Sequence, residues 1–231
     1  MAIRIRESTA DDLPAIARIA SAAFHPATDV IAARLFPAQL QEQETVRDYD
    51  VYSWRYAKKT SSLSSPHAVM VVAIDDSLPA TNQVVGFGLW DVYEYKHEAT
   101  HSTLTQTDSE KAANQPQSTV HELPPPSFDQ EAYAELRAIV SADHQAMFGE
   151  RGIKDVWHLD YLGVDPQHQR KGIGRMLLDW GLRRAASDGK DCYLMATPAG
   201  RALYAKTGFE VVRTVPIFGV LHHSMIYRQG K

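Results

Sequence analysis

The most constraining feature of the sequence is an apolar segment at 159–166, LDYLGVDP, followed closely by a basic, glycine-spaced segment at 169–174, QRKGIG. The first segment predicts a β-strand ending in a turn, and the amphipathic residues after Gly172 predict a helix. Backbone N–H groups at a helix N-terminus carry partial positive charge and bind anions. Gly172 and Gly174 let an anion approach the backbone, because they have no Cβ. The pattern therefore predicts a phosphate-binding strand–turn–helix.

Two other phosphate-binding loops do not fit this segment. A Walker loop requires Gly, four residues and then Gly-Lys-Ser/Thr, which the sequence lacks. A dinucleotide-binding fingerprint requires a third glycine at 177, where this chain has leucine. An ordinary strand–turn–helix with a basic surface loop remains the alternative.

The segment resembles the acetyl-CoA motif Gln/Arg-x-x-Gly-x-Gly/Ala of the GNAT (GCN5-related) N-acetyltransferases, with Gln169, Gly172 and Gly174 at the motif positions. The preceding Leu-x-Val-x-Pro at 162–166 also fits. A second segment, GRALYAKTGFE at 200–210, is similar to the family's late motif, a short helix carrying Leu-Tyr and then Gly-Phe and a strand. Together the two blocks indicate an acetyl-CoA-binding core at about 156–215.

The resemblance implies an α/β GNAT fold: a mixed central β-sheet of about six to seven strands, with helices on both faces. It implies transfer of an acetyl group from acetyl-CoA, bound as the acyl donor, to the primary amine of a small molecule. Backbone N–H groups would bind the pyrophosphate. Two splayed parallel strands would leave a backbone edge for the pantetheine arm. The residues implied to bind the cofactor are Leu162, Gly163, Val164, Gln169, Arg170, Lys171, Gly172, Ile173, Gly174 and Arg175.

Three side chains are candidates for catalysis. Tyr204 stands where the family has its acid tyrosine, which implies protonation of the departing thiolate; a core-facing tyrosine is the alternative. His158 and Asp160 lie two residues apart on the motif strand, so their side chains are expected on one face. They are candidates to deprotonate an alkylammonium acceptor, and a structural hydrogen-bonded pair is the alternative. Asp91 and Glu94, near the end of the neighbouring strand, are further candidates to bind the cation.

The acceptor itself is set by segments around 25–60 and 128–155, which match no family pattern. A helix predicted at about 38–59 carries an aromatic cluster that either lines the acceptor pocket or packs elsewhere; the cluster is Tyr49, Tyr52, Trp54 and Tyr56. Three alternatives to acetylation of a small amine stay open. They are a longer acyl-CoA donor, an amino-acid or peptide amine as acceptor, and a non-catalytic acyl-CoA sensor.

Composition limits the other function classes. A chain of 231 residues with 44% hydrophobic content is expected to form a single domain, 1–231. Its net charge of −4 argues against a general nucleic-acid partner. The single cysteine, Cys192, allows no internal disulfide and is expected in the core. The N-terminus reads as a strand, and no run approaches the roughly 20 apolar residues of a membrane span. A cytoplasmic protein with no membrane partner is expected, of open oligomeric state.

The rest of the chain divides into predicted elements. A continuous apolar run at 68–74 predicts a central strand, and 84–92 predicts the antiparallel strand after it. The polar segment at about 95–127 is expected to be a mobile insertion. This segment contains His97, His101 and His121. Neither these histidines nor the nearby His67 show the spacing of metal ligands, so no metal is expected. Ser127 and Gln130 predict a capping box that opens a helix.

Overall fold

The structure is a computed structural model that describes residues 3–40, 44–93 and 124–230. These residues form one seven-stranded sheet with helices packed on it, as the predicted mixed α/β architecture requires. The strands are β1 (Ile3–Glu7), β2 (Ala68–Asp75), β3 (Val84–Asp91), β4 (Trp157–Val164), β5 (Cys192–Ala196), β6 (Glu210–Ile217) and β7 (Val220–Tyr227). The α-helices are α1 (Leu13–Ala23), α2 (Val30–Leu35), α3 (Glu44–Leu63), α4 (Gln130–Phe148), α5 (Ile173–Ser187) and α6 (Arg201–Thr207).

The strand order is β1-β2-β3-β4-β5-β7-β6, and all neighbours are antiparallel except β4 and β5. The parallel pair is joined through α5, which is the expected βαβ crossover. The sheet order also confirms that β2 is interior and that β6 and β7 close the sheet as a hairpin.

Helices cover both faces of this sheet, which explains the unbroken apolar run of β2. Alternate β2 residues, such as Val69 and Val71, pack with Ile173 and Leu177 of α5. The residues between them, such as Met70 and Val72, pack with α1 on the opposite face. Because successive side chains of a strand point to opposite faces, a strand buried on both sides must be apolar throughout.

The strand β4 contains a β-bulge at Asp160. Leu159 pairs with Trp90 and Tyr161 pairs with Leu89, so Asp160 is an extra residue without a β3 partner. The bulge shifts the alternation of side chains along β4. Trp157 and Leu159 pack with the core under α5 before it, and Leu162 and Val164 do so after it.

The parallel strands β4 and β5 pair over only part of their length. Their register covers Trp157–Leu159 against Cys192–Leu194, whereas β4 continues to Val164. Beyond Leu159 the two strands separate, which is the predicted splay. The edge of β4 that faces this gap is therefore available to an extended ligand.

Two local predictions need correction, and a third falls largely outside the described residues. Instead of one helix at about 38–59, there is a 3₁₀ turn at Ala38–Leu40 and a helix α3 from Glu44 to Leu63, and α2 precedes both. The N-cap of α4 is Asp129, whose Oδ1 accepts from the Ala132 N–H at 2.8 Å. Ser127 lies outside the helix, because its hydroxyl donates to the buried Asp50 carboxylate. Residues 94–123 lie outside the described residues; they include Glu94 and most of the expected insertion, with His97, His101 and His121.

Candidate functional site

A single cavity of about 1490 Å³ connects the N-terminus of α5 with the side chains of α2, α3 and α4. At one end its walls are the loop before α5, the exposed edge of β4 and Tyr204. At the other end they include His158, Asp160 and a group of aromatic and basic side chains. The cavity thus brings the predicted donor-binding and catalytic residues together.

The loop before α5 has the backbone geometry of an anion site. Arg170 has φ +62° and Gly172 has φ +82°, and Gly172 is the N-cap of α5. An ideal Cβ on Gly172 would meet no protein atom within 4 Å, so this face of the loop is open. The first backbone hydrogen bond of α5 joins Met176 N–H to the Gly172 carbonyl at 3.1 Å, so the N–H groups before it remain for a ligand.

Most of the predicted phosphate-binding residues border the cavity. Gln169, Arg170, Gly172, Ile173, Gly174 and Arg175 do so, whereas Lys171 is exposed on the same loop and does not. The Gln169 amide donates to the Val164 carbonyl at 3.1 Å, so this side chain holds the loop on the strand. The Arg175 guanidinium lies 2.6 Å from the Asp179 carboxylate, which engages part of its charge.

The three residues predicted to bind the cofactor at the β4 edge differ in whether they border the cavity. Leu162 and Val164 border the cavity, and their side chains also pack against the core under α5. Gly163 does not border the cavity: a Cβ there would lie 2.6 Å from Phe87 Cε1. Glycine at 163 is therefore required by the close approach of Phe87 and opens no extra room at the strand edge.

Tyr204 lies on α6 and borders the cavity. Its ring packs edge-on against Phe209 at 6.0 Å, and a Cβ on Gly200 would lie 2.9 Å from its Cε2. Burial raises the pKa of the Tyr204 phenol, so the side chain keeps its proton at neutral pH. A protonated hydroxyl at the cavity wall is what a general acid requires.

His158 is held by Asp91, its cross-strand partner on β3. The distance between His158 Nδ1 and Asp91 Oδ2 is 2.9 Å. Because a carboxylate only accepts, the imidazole donates from Nδ1 and a neutral ring has its lone pair on Nε2. His144 of α4 packs edge-on at 5.3 Å, and its pKa is lowered to about 4, mainly by burial. The residue that orients His158 is thus Asp91, and Asp160 takes no part in that hydrogen bond.

Asp160 borders the same cavity from the bulge of β4. Solvent reaches its side chain through the cavity, but the surrounding protein still raises the pKa of the carboxyl by desolvation. The nearby Lys59 opposes that shift and His158 does so to a smaller extent. His158 and Asp160 are therefore close enough to act on the same group in the cavity.

Two buried cations of α3 near the acceptor end, Lys59 and Arg55, are not among the residues singled out in the sequence. Lys59 is 2% exposed, and its Nζ lies 3.3 Å from the centre of the Tyr161 ring. Arg55 is 5% exposed and donates to the Phe24 carbonyl at 3.2 Å. The sequence did contain a signal: Val51, Arg55 and Lys59 follow one another at i, i+4 and i+8, so two charges lie on the buried face of α3.

Residues 131–211, which span the loop, the β4–β5 pair and α6, match the family model described as an acetyltransferase (GNAT) domain. The chain therefore contains a domain of the GNAT type. It is an acyltransferase, as the resemblance implied. A search among curated proteins found no match.

Several solved structures share this GNAT fold. A Corynebacterium glutamicum protein described as histone acetyltransferase HPA2 and related acetyltransferase has a TM-score of 0.59 at 17% identity, covering 100% of this chain and 98% of its own. The PaiA N-acetyltransferase of Thermoplasma acidophilum, in complex with coenzyme A, has a TM-score of 0.53 at 15% identity over 99% of each chain. NAA60 of Arabidopsis thaliana, in complex with a bisubstrate analogue, has a TM-score of 0.52 at 13% identity, covering 100% of each chain. At these identities the likeness establishes the fold.

In this GNAT protein, α4 is fastened to the C-terminal part of the sheet by one buried carboxylate. Asp143, 2% exposed, accepts from Tyr193 Oη at 2.7 Å, from Ser224 Oγ at 2.6 Å and from Arg213 Nε at 3.0 Å. These partners lie on β5, β7 and β6. The clamp fixes the helix that forms one wall of the acceptor end of the cavity.

Other features of this GNAT protein bear on the remaining expectations. Cys192 is buried in the core, as expected, and burial raises the pKa of its thiol. Of the aromatic cluster near α3, only Trp54 borders the cavity; Tyr49 is 70% exposed, and Tyr52 stacks on Tyr56. Within residues 3–40, 44–93 and 124–230 no group of three potential metal ligands occurs. Within the same ranges, no helix has the length and apolar character of a transmembrane span.

We expect Lys59→Met to raise the free energy of unfolding at pH 7. Folding lowers the pKa of Lys59 to about 7, chiefly by desolvation, whereas the pKa of an unfolded lysine is about 10.4. Between these values the unfolded state binds more protons, so the penalty from wild-type Lys59 is greatest at and below pH 7 and fades towards pH 10. Urea unfolding across this range measures the difference, with the exposed Lys154→Met as the control. A gain that grew with rising pH would contradict the burial argument.

Proposed function

We propose that this protein transfers an acetyl group from acetyl-CoA to the primary amine of a small molecule. The observation that carries the proposal is that the loop before α5, the splayed edge of β4 and Tyr204 all border one cavity. An anion site alone, or a cleft alone, would fit many ligands. A cleft that combines a phosphate-binding loop, an extended backbone edge and an acid fits a CoA thioester.

The donor half of the site works mainly through backbone groups. Acetyl-CoA supplies the activated acetyl group as a thioester. The N–H groups of 170–175 bind its pyrophosphate, and Arg170 adds charge at the rim. The backbone at 162–164 pairs with the pantetheine arm like an added strand, and an N–H near Val164 polarises the thioester carbonyl. Tyr204 Oη gives its proton to the departing sulfur as the C–S bond breaks, and it regains one from the nitrogen that has bonded to the acetyl carbon.

The acceptor half works through side chains. Asp160 binds the incoming ammonium, because its carboxylate is open to the cavity. His158 then accepts a proton at Nε2, since Asp91 occupies Nδ1. This division of labour keeps the acceptor amine neutral at the moment of attack, which an amine with a pKa of about 10 requires at neutral pH.

Release of free CoA from acetyl-CoA in the presence of an amine panel tests the function. The panel contains aromatic, aliphatic and amino-acid amines and a peptide with a free N-terminus, and mass spectrometry identifies any acetylated product. We expect acetylation of at least one small amine. Binding of acetyl-CoA without acetylation of any member would overturn the proposal in favour of a non-catalytic acyl-CoA sensor.

We expect Asp160→Asn to lower kcat/KM for the accepted amine by about 100-fold, because the amide cannot bind an ammonium by charge or assist its deprotonation. The Kd for CoA should stay within about threefold. Steady-state kinetics and a CoA titration measure the two quantities. Asp155→Asn, at an exposed carboxylate outside the cavity, is the matched control. Equal losses in CoA affinity and turnover would show that Asp160 supports the donor half instead.

A further inference from the structure

We propose that the acceptor is a free α-amino acid with an apolar or aromatic side chain, bound through its ammonium at Asp160 and its carboxylate at Lys59. This inference rests on the proposed amine acetylation and names its substrate class. It starts from the positive charges at the acceptor end of the cavity, which the mechanism above leaves unused.

The acceptor end is rich in positive charge. Four basic side chains border it, namely Arg55, Lys58, Lys59 and Arg137, against the carboxylates of Asp29 and Asp160. Asp29 is the N-cap of α2 and accepts from the Ala32 N–H at 2.7 Å. In the part of the chain that the structure describes, none of the four cations forms a salt bridge. An acceptor that carried only an ammonium would meet net repulsion here, whereas an anionic group would be attracted.

Two of these cations are buried, which makes an anionic ligand more than a rim contact. Lys59 and Arg55 are 2% and 5% exposed. Arg55 Nε is buried without a hydrogen-bond partner among the described residues. Lys59 Nζ contacts the face of the Tyr161 ring, which offsets only part of the cost of burying a charge. A carboxylate placed in the cavity would supply the missing counter-charge.

The opposite charges of the acceptor end are adjacent. Lys59 Nζ lies 3.3 Å from the ring centre of Tyr161, the residue after Asp160, and both Lys59 and Asp160 border the cavity. In keeping with this proximity, each of the two shifts the pKa of the other. An α-amino acid carries its ammonium and its carboxylate on one carbon. It therefore places its two charges against Asp160 and Lys59 together. A simple amine lacks the carboxylate, and the first residue of a peptide has it replaced by an amide.

The remaining wall of the acceptor end suits an apolar side chain. Trp54, Tyr133 and Phe24 border the cavity there, and Trp54 packs edge-on against Tyr133 at 6.2 Å. Lys58 Nζ donates to Tyr133 Oη at 2.9 Å and lies 5.0 Å from the centre of the Tyr133 ring, so part of its charge is already engaged by this wall. Rigid aromatic side chains of this kind bind apolar groups by area and shape.

Matched acceptor pairs test the proposal on the full-length protein with saturating acetyl-CoA. The pairs are L-phenylalanine with 2-phenylethylamine and L-leucine with 3-methylbutylamine, which differ only by the carboxylate, and L-phenylalaninamide is the third member of the first set. We expect kcat/KM for the carboxylated member of at least one pair to exceed that of its amine by about 30-fold, a usual size for a charge-assisted hydrogen bond. The amide should behave like the amine.

The same ratio is then measured in two variants. In Lys59→Met the preference for the carboxylate should fall to within about threefold of unity, and in Lys154→Met it should stay as in the wild type. Equal kcat/KM for both members of each pair, or an unchanged preference in Lys59→Met, would overturn the inference while leaving amine acetylation intact. Absence of turnover with every amine would overturn the proposed function and this inference together.

Discussion

Replacing Tyr204 by phenylalanine should lower kcat by about 100-fold, in the usual range for loss of one general acid. The substitution removes only the hydroxyl. The ring contacts with Phe209 and Gly200 remain, so the fold of α6 is expected to persist. Because burial raises the pKa of the phenol, the wild-type hydroxyl stays protonated well above neutral pH, and the loss should be the same from about pH 7 to pH 9. Steady-state kinetics with the accepted amine and a CoA titration measure the effect.

Tyr227→Phe is the control for this experiment. Tyr227 also packs against Phe209, at 5.6 Å, and is not among the residues that border the cavity. It should retain wild-type kcat. If Tyr204→Phe kept its kcat as well, the acid would be another group or the thiolate would depart unassisted. If its Kd for CoA rose in proportion to the loss in kcat, Tyr204 would act in binding.

Gly181→Ala should lower the free energy of unfolding by about 3 kcal/mol, at the upper end of the usual cost of overpacking a core. Gly181 is buried on α5, and a Cβ there would lie 2.1 Å from Trp90 Cζ2. Trp90 is fully buried and packs against Trp157 at 5.8 Å, so its ring cannot move aside without disturbing a second indole. For a chain of this length the melting temperature should fall by roughly 10 °C. Urea and thermal unfolding measure both quantities.

A double variant separates the clash from a general effect on the helix. Trp90→Phe removes the indole atoms that a Cβ on Gly181 would meet, and Trp90 Nε1 has no partner among the described residues that the change would deprive. Combining it with Gly181→Ala should cost less than the sum of the two single changes, by about 1–3 kcal/mol. Simple additivity of the two losses would mean that the clash with Trp90 is not what destabilises the single variant.

The donor half of the site was predictable because it depends on backbone and local pattern. Gly172 and Gly174 predict that a ligand approaches the backbone closely, and the apolar strand before them predicts where α5 begins. The central part of the sheet was predictable for a similar reason. A run such as 68–74, apolar at every position, fits a strand covered on both faces. The splay of β4 from β5 came from the family resemblance and not from periodicity.

The acceptor half was less predictable because it depends on register and tertiary packing. Strict alternation placed His158 and Asp160 on one face as a pair, but the bulge at Asp160 breaks the alternation, and the hydrogen-bond partner of His158 comes from β3. Asp91 was recognised only as a cation-binding candidate, since its pairing with His158 depends on the β3–β4 register. Lys59 was missed because a lysine is usually exposed, and only its spacing from Val51 and Arg55 contradicts that expectation.

The fastening of α4 shows which parts of the chain hold the acceptor wall in place. Before residue 94, the Val92 N–H is bonded to the His67 carbonyl at 2.7 Å, and after residue 123 the Asp129 N–H is bonded to the Leu35 carbonyl at 2.9 Å. Asp143 then secures α4 to three strands that come later in the chain. The described residues on either side of 94–123 are thus anchored by bonds to other described residues. The position of the acceptor wall therefore depends on strands that come after it in the chain.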